Sequence, residues 1–411
     1  MMWHERRVSE MAELVNGFPF ESANFRDRGP VPLVRIRDIL NEPFLTFVPS
    51  AIVPDSALIE NGDVVIGMDG DFNLVYWRRG VAALNQRLCL LRSNGRSDLR
   101  FLAYALPPHL KVINDLTYST TVKHLSSAQV RAIRLPAPDI EEQGVIADFL
   151  DRETARIDPL IAEQQRLIEL LRERRQATIE AATGHGVDEP VSMRSSGLSW
   201  STEIPEHWVV ANIRRFATMK TGHTPSRSNA EYWVDCTIPW FTLADVWQLR
   251  DGKRTYLGAA ANLISEAGLA NSSAELLPAG TVVLSRTASV GFSGVMPVPM
   301  ATSQDFWNWI PGDRLDGTYL MWVFRAMFRE FQAMMIGSTH KTIYQSTAAA
   351  IRIPVPPLDE QRRIVAYLDE QTTKVDALIA EAERFIELAR ERRSALITAA
   401  VTGQIDVREA A

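Results

Sequence analysis

The feature that most constrains this chain is a repeat: displaced by 218 residues, the sequence matches itself. Arg134 to Ala182 aligns without gaps to Arg352 to Ala400, with roughly half of the positions identical. Solenoid units recur every ~20 to 50 residues, so a period this long marks a half-protein present twice, in the order ABA′B′. The 411 residues are enough for two to four domains at the usual ~100 to 200 residues each.

The two B segments read as long helices, because apolar or small residues recur at alternating steps of three and four. The expected stripe is Ile146, Leu150, Ile157, Leu160, Leu167, Leu171 and Thr178 in the first copy. In the second it is Ile364, Leu368, Val375, Leu378, Phe385, Ala389 and Leu396. Prolines mark each start (Pro136 and Pro138; Pro354, Pro356 and Pro357), and Gly184 and Gly403 mark the ends. About 40 residues at ~1.5 Å each make a rod of roughly 60 Å. A rod with one apolar stripe needs a partner, and the other copy is at hand, so an intramolecular antiparallel coiled coil is expected. Pro159, where the second copy has Ala377, favours a kink in the first helix, with Asp158 capping the restart.

The A segments carry short β-rich runs, such as Gly62 to Ile66 and Gly280 to Leu284, between Gly, Pro and Asn turns. They read as mixed α/β domains. The two A segments resemble each other only faintly whereas the B segments are near duplicates, which implies one scaffold carrying two different readers.

The net charge of −6 and pI near 5.8 speak at first against a nucleic-acid partner. The distribution reverses that. Residues 1–133 carry 15 basic and 14 acidic groups and residues 198–350 carry 12 of each, while the deficit lies in 134–190 (7 against 13) and 351–411 (9 against 11). The acidity belongs to the helices, and the A domains are neutral. Cys89 and Cys236 have neither metal-ligand spacing nor a disulfide framework, which fits a reducing compartment. The amino terminus turns charged at once and no apolar run suits a bilayer, so a cytoplasmic protein without a membrane partner is expected.

In the B segments Pro138, Glu142-Gln143, Ile146, Leu150-Asp151, Ile157-Asp158, Leu160-Ile161 and Glu173-Arg174-Arg175 recur as Pro356, Glu360-Gln361, Ile364, Leu368-Asp369, Val375-Asp376, Leu378-Ile379 and Glu391-Arg392-Arg393. With this doubled pattern the chain resembles the specificity subunits of type I restriction-modification enzymes over nearly its whole length. The A domains carry matching landmarks. The first has Asn16 to Phe20, Gly62-Asp63, Met68-Asp69-Gly70, Leu84 to Arg87 and Thr120 to His124. The second has Ile204 to Trp208, Thr221 to Pro225, Ser303-Gln304-Asp305 and Gly337-Ser338-Thr339. The first domain departs from the pattern by lacking the Pro-Glu-x-Trp lead-in that precedes Trp208.

The resemblance implies an α+β fold: two mixed α/β target-recognition domains separated by two long helices that form an intramolecular antiparallel coiled coil, a pseudo-two-fold repeat. The boundaries expected are a first recognition domain over 1–135, a helical spacer over 136–183, a linker over 184–200, a second recognition domain over 201–352, a second spacer over 353–403 and a tail over 404–411. It further implies a bipartite, asymmetric double-stranded DNA target and two modification (methyltransferase) subunits, joined in restricting assemblies by two restriction subunits. Those partners would bind S-adenosylmethionine, ATP and magnesium, leaving no cofactor to this chain.

A search for resident chemistry agrees. The sequence has no Gly-rich cofactor loop with an Asn/Asp-Pro-Pro-aromatic motif, no GxxxxGK phosphate loop and no HxxxH or HExxH pair. Neither catalytic residues nor a metal site is therefore expected. Pro138 to Glu142 faintly resembles a nuclease carboxylate pair, but acids at a helix start meet the dipole favourably. The candidates for DNA contact are Arg78, Arg79, Lys123, Lys220, Arg227, Arg286 and Lys341 as cations in turns, with Asn73, Ser289 and Gln345 as readers of base edges. His124, and His223 with Thr224, either reach DNA or simply face solvent. Eight of the ten tryptophans fall between Trp200 and Trp322, and core packing accounts for most of them. The rival readings are a divergent methyltransferase or nuclease acting alone, and a coiled-coil adaptor without DNA.

Overall fold

The computed structural model describes residues 3–117, 122–188, 192–335 and 342–408. The chain divides into two compact units, Met1–Gln164 with Phe385–Ala411, and Gln165–Arg384. The first unit is made of two separate segments and the second of one continuous stretch, and each combines one A domain, the start of the helix that follows it and the end of the other helix.

In the first unit strands β1 (Ala12–Asn16), β2 (Val64–Gly67), β3 (Leu74–Tyr76) and β4 (Leu88–Ser93) form an antiparallel sheet in the order β1-β4-β2-β3. Val64, Val65, Ile66 and Gly67 are all buried, as expected of a strand covered on both faces. On one face Val64, Ile66, Cys89 and Leu91 pack with Phe101, Leu102 and Leu106 of helix α1 (Leu99–Leu116). On the other, Val65, Leu88 and Leu90 pack with Val34, Ile59 and Leu84 of a small sheet in which Val31–Val34 runs parallel to Ala82–Leu84. The amino end is tied down by pairing of Glu5–Arg7 with Arg134–Pro136, which leads into helix α2 (Ile140–His185).

The second unit is built to the same plan. Strands β5 (Ala217–Thr221), β6 (Val282–Ser285), β7 (Ser293–Val295) and β8 (Phe306–Pro311) take the order β5-β8-β6-β7. Helix α3 (Gly317–Ala326) covers one face, and a small sheet with Ile238–Phe241 parallel to Ala301–Thr302 lies beside it. Val209–Asn212 pairs with Arg352–Val355, which leads into helix α4 (Leu358–Val401).

In each unit the start of one long helix lies beside the end of the other, so the pairing is antiparallel. Ile146, Phe149 and Leu150 share a core with Ala400 and Val401, and Ile364 and Leu368 share one with Ile179 and Ala182. The polar contacts repeat as well. Arg393 Nε donates to Asp158 Oδ1 at 2.7 Å in the first unit, and in the second, at positions 218 residues away, Arg175 Nε lies 3.0 Å from Asp376 Oδ1. Gln143 is fully buried; its Nε2 donates to the Pro138 carbonyl at 2.8 Å and its Oε1 accepts from Asp98 N at 3.0 Å. Asp98 caps α1 by accepting from Arg100 N at 2.8 Å. Gln361, Pro356 and Asp316 repeat this at 2.9 and 2.7 Å, with Asp316 capping α3.

Several expectations change. The buried seam holds Ile157 and Ile386 in the first unit and Ile168, Leu171, Ile379 and Ala382 in the second. Leu160 and Phe385 in the first unit, and Leu167 and Leu378 in the second, expected in the stripe, are exposed instead and lie beside Leu388 and Leu170 respectively in sequence register. These six side chains are 41–54% exposed. The sequence offers adjacent apolar pairs, Leu167-Ile168, Leu378-Ile379 and Phe385-Ile386, and the isoleucine of each is buried, while Ile161 beside Leu160 is half-buried. α2 runs unbroken through Pro159, and Asp158 pairs with Arg393 where a capping role was expected. The helix stops at Gly186, with φ +82°, two residues beyond Gly184, and the Trp208 ring packs there; Gly403, with φ +69°, meets Trp3 in the same way. Trp3 thus fills the place of Trp208 without the Pro-Glu lead-in.

Replacing Gln143 by Leu leaves a backbone N–H and a carbonyl without their partner, and replacing Gln361 leaves the Arg314 carbonyl as well. Each variant is expected to lose about 2 kcal/mol or more, measured by urea unfolding, with the loss at Gln361 at least as large as that at Gln143.

Candidate nucleic-acid interface

The loops at one end of each main sheet are stitched together by the same backbone bonds. Gly17 and Gly222 each follow or end the first strand of their sheet, and an added Cβ would lie 1.9 Å from the Asn85 carbonyl oxygen and 2.2 Å from that of Ser303. Glycine is required at both by close approach of backbone. Next to it, Phe18 N donates to Leu84 O at 2.9 Å and His223 N to Thr302 O at 3.0 Å. Met68 N donates to Arg87 O at 3.0 Å, and Arg286 N to Asp305 O at 2.9 Å. Leu125 N donates to Met68 O at 2.7 Å, and Ile343 N to Arg286 O at 3.0 Å. The bridge between Asp69 and His124 recurs as Thr287 with Thr342.

The frame is shared and the side chains on it differ. In the first unit His124 Nδ1 lies 2.7 Å from Asp69 Oδ1, Arg87 Nε lies 3.5 Å from Asp69 Oδ2, and Gln86 is exposed. In the second, Thr224 Oγ1 donates to Gln304 Oε1 at 2.6 Å, which fixes the amide so that its two N–H groups point away from Thr224. Arg286 Nε donates to Gln304 O at 2.6 Å, and its guanidinium lies 4.2 Å above the Trp307 ring. Burial pulls that guanidinium below its usual pKa, and Asp305 opposes the shift. His223 and Gln345 are exposed, and Ser289 Oγ accepts from Arg250 Nη2 at 3.3 Å.

Most other candidates fall elsewhere. Arg79 is used by its own unit: it donates to the carbonyls of Asp38, Ile39 and Asn41 and stacks 4.2 Å from Trp77 and 5.1 Å from Phe44. Burial lowers its pKa, against the pull of Glu42 and Asp38. Arg78 lies 5.2 Å over Tyr76 and 3.4 Å from Asp151 of α2. Lys123 Nζ donates to Asn114 O at 2.7 Å, and Lys220 Nζ lies 2.7 Å from Glu275. Asn73 is exposed in the same loop as Asp69, its carbonyl accepting from Gly67 N at 2.8 Å, and Arg227 is exposed in a turn. Lys341, with the landmarks Thr120-Thr121 and Gly337-Ser338-Thr339, lies outside the described residues. Sequence reasoning passed over Gln86, Arg87 and Gln304 as contacts. The signal was present, since the offset of 218 sets Gln86 on Gln304.

Trp208, Trp240, Trp307, Trp309 and Trp322 are buried, whereas Trp247 stands 60% exposed. Among the described residues no cluster of His, Cys, Asp or Glu could hold a metal ion, and no helix is long and apolar enough to cross a membrane.

Comparison with known proteins points one way. A family model described as the type I restriction modification DNA specificity domain matches residues 2–170 and 205–386. The specificity subunit of the type I restriction enzyme EcoBI of Escherichia coli is 36% identical over 212 residues, 50% of this chain and 44% of that protein. That of the MjaVIII enzyme of Methanocaldococcus jannaschii is 21% identical over 388 residues, covering 91% of this chain and 85% of the relative. The alignments with the first relatives thus span less than half of their length, 44% and 40%. A solved chain from a study of complex assembly and conformational transition in the type I restriction-modification system shares the fold, with a TM-score of 0.71 at 18% identity over 98% of both chains.

Gly17→Ala and Gly222→Ala push a methyl group into a backbone carbonyl. Each is expected to cost about 1–3 kcal/mol in denaturant unfolding; unchanged stability would show that the loops are not held by this contact.

Proposed function

The chain belongs to the type I restriction-modification DNA specificity family, and on that premise we propose that it supplies the DNA address of a methyltransferase complex by reading a bipartite, asymmetric double-stranded target. The observation that carries this reading is one loop frame present twice with different side chains at its tips: Asp69, Gln86, Arg87 and His124 in one unit, Thr287, Gln304, Asp305 and Thr342 in the other. Equal frames offer equal approach to a groove, and unequal tips select unequal half-sites.

The chemistry suits base edges. A glutamine amide can pair bidentately with adenine N6 and N7, and arginine with guanine O6 and N7, each good pair discriminating by about 1–3 kcal/mol. We assign Gln86, Arg87 and His124 to one half-site and His223, Thr224, Gln304, Ser289 and Gln345 to the other, with Arg227 and Lys341 as phosphate contacts. Arg286 and Lys123 position these loops, and Arg79 braces its own unit. Asn73, exposed in the loop that carries Asp69, joins the first half-site, while Arg78 and Lys220, read from the sequence as contacts, are paired with Asp151 and Glu275 and are left to the folded surface.

In this reading methyl transfer and cleavage belong to two modification subunits and, in restricting assemblies, two restriction subunits, which bring S-adenosylmethionine, ATP and magnesium to a site in the cytoplasm. Each unit exposes three apolar residues of its helices, Leu160, Phe385 and Leu388 in the first and Leu167, Leu170 and Leu378 in the second, surface of the kind that partner chains cover. Leu170→Asp with Leu388→Asp is expected to leave the fold intact by circular dichroism and to prevent copurification with the modification subunit.

The decisive measurement is the host methylome, read by single-molecule sequencing. Deleting the gene should erase one bipartite motif. Gln86→Ala should relax one half of that motif and Gln304→Ala the other, each weakening discrimination by about tenfold or more; an unchanged motif with both variants would remove these residues from the readout.

A further inference from the structure

The two units differ at one sheet edge. In the second, β7 is flanked on its outer side by the chain itself: Val295 N donates to Thr255 O and Leu257 N to Val295 O, both at 2.9 Å, with Tyr256 bridged parallel to Val295. The loop bearing this segment is gripped from the helical side, where Arg175 Nη2 donates to Gly252 O at 2.7 Å and Arg325 donates to Arg254 O. Gly294 of β7 leaves room for it, since a Cβ there would meet Leu249 and Leu257 at 2.8 and 2.9 Å.

β3 of the first unit is the counterpart of β7, for Tyr76 lies opposite Val64 as Val295 lies opposite Val282. Trp77 N donates to Asp63 O at 2.8 Å and Gly62 N to Trp77 O at 2.9 Å, so the alternation of an antiparallel ladder turns the Tyr76 N–H and carbonyl outward. Among the described residues neither group has a protein partner, and no segment lies on this edge. Beside it runs a groove of about 900 Å³ walled by β3, α1 and the facing stretches of α2 and α4. Arg393, which the repeat sets on Arg175, lines it. Arg78, Arg100, Lys111 and Arg390 line it too; Arg100 is paired with Asp98, Asp148 and Asp151, Arg78 with Asp151 and Lys111 with Asp115.

We propose that this groove receives an extended segment of the modification subunit, which adds a strand to β3 in trans where the second unit uses residues 255–257 in cis. The inference rests on the subunit reading above. Main-chain bonds to an open edge supply affinity in such augmentation, and flanking side chains supply selectivity. The second unit shows what fits such an edge: a short extended run whose first residue accepts from the outward N–H and whose third donates to the outward carbonyl. Arg393 stands where Arg175 holds a loop carbonyl, ready to grip the incoming strand in the same way.

Hydrogen exchange of the intact chain, alone and bound to the modification subunit, reads the Tyr76 amide directly. It is expected to exchange freely in the free chain and at least about tenfold more slowly in the complex, with the Val295 amide protected in both. Tyr76→Pro removes the outward N–H while sparing the inward bonds of Val75 and Trp77, and should weaken subunit binding by about tenfold, or 1.4 kcal/mol. A complex that assembles and methylates with Tyr76 still exchanging freely overturns the inference and leaves the subunit reading standing. Protection that requires DNA and not the subunit overturns it as well. Failure of the two chains to associate overturns both.

Discussion

A helix of more than forty residues with a single apolar seam cannot bury that seam by itself, and the rest of this molecule follows from how the chain solves the problem. Each long helix gives its start to one unit and its end to the other, so neither A domain closes its core without both helices. Ala400 and Val401 complete the core around Ile146, and Ile179 and Ala182 complete the one around Ile364. Removing either helix would therefore open both cores.

This sharing explains why the repeat is close in the helices and faint in the domains. Every seam contact occurs twice, so a change at Asp158 or Arg393 must suit the same geometry as one at Asp376 or Arg175. The buried glutamines are held more tightly still, because Gln143 and Gln361 each serve a proline carbonyl and the amide of a helix cap. The loop tips answer to none of these demands. Their backbone is fixed by Gly17 or Gly222 and by bonds between main-chain atoms, so Asp69 can stand where Thr287 does, and His124 where Thr342 does, without disturbing the frame. A scaffold that specifies backbone positions and leaves side chains free is suited to diverging specificities.

The sequence made the repeat, the two long helices and the mixed domains legible because period and offset are properties of the chain. It failed where two choices look alike in one dimension. Leu167-Ile168 offers two adjacent apolar residues, and which one turns inward depends on where the partner helix lies. Gly184 and Gly186 are both plausible stops, and the one with a positive φ under the Trp208 ring is the stop the fold uses. Arg79 had the composition of a DNA contact, a cation in a turn, yet three carbonyls and two rings of its own unit consume it. Gln86 and Gln304 were readable, but only by carrying the offset of 218 from the helices into the weakly similar domains.

The charge pattern divides affinity from discrimination. Affinity for duplex DNA rises with the number of phosphates neutralised, and a chain whose A domains are balanced and whose helices are acidic brings few uncommitted cations to that task. Several cations in the A domains are already engaged within the fold: Arg79 with carbonyls, Lys123 with Asn114, Lys220 with Glu275, and Arg100 with Asp98 and Asp148. On the proposed reading the phosphate contacts that hold the duplex come mainly from the partner subunits, and this chain contributes the polar tips that sort one sequence from another. Such an arrangement keeps the free chain from settling on DNA without its methyltransferase, because base-edge hydrogen bonds without a backbone grip are too weak to hold a duplex on their own.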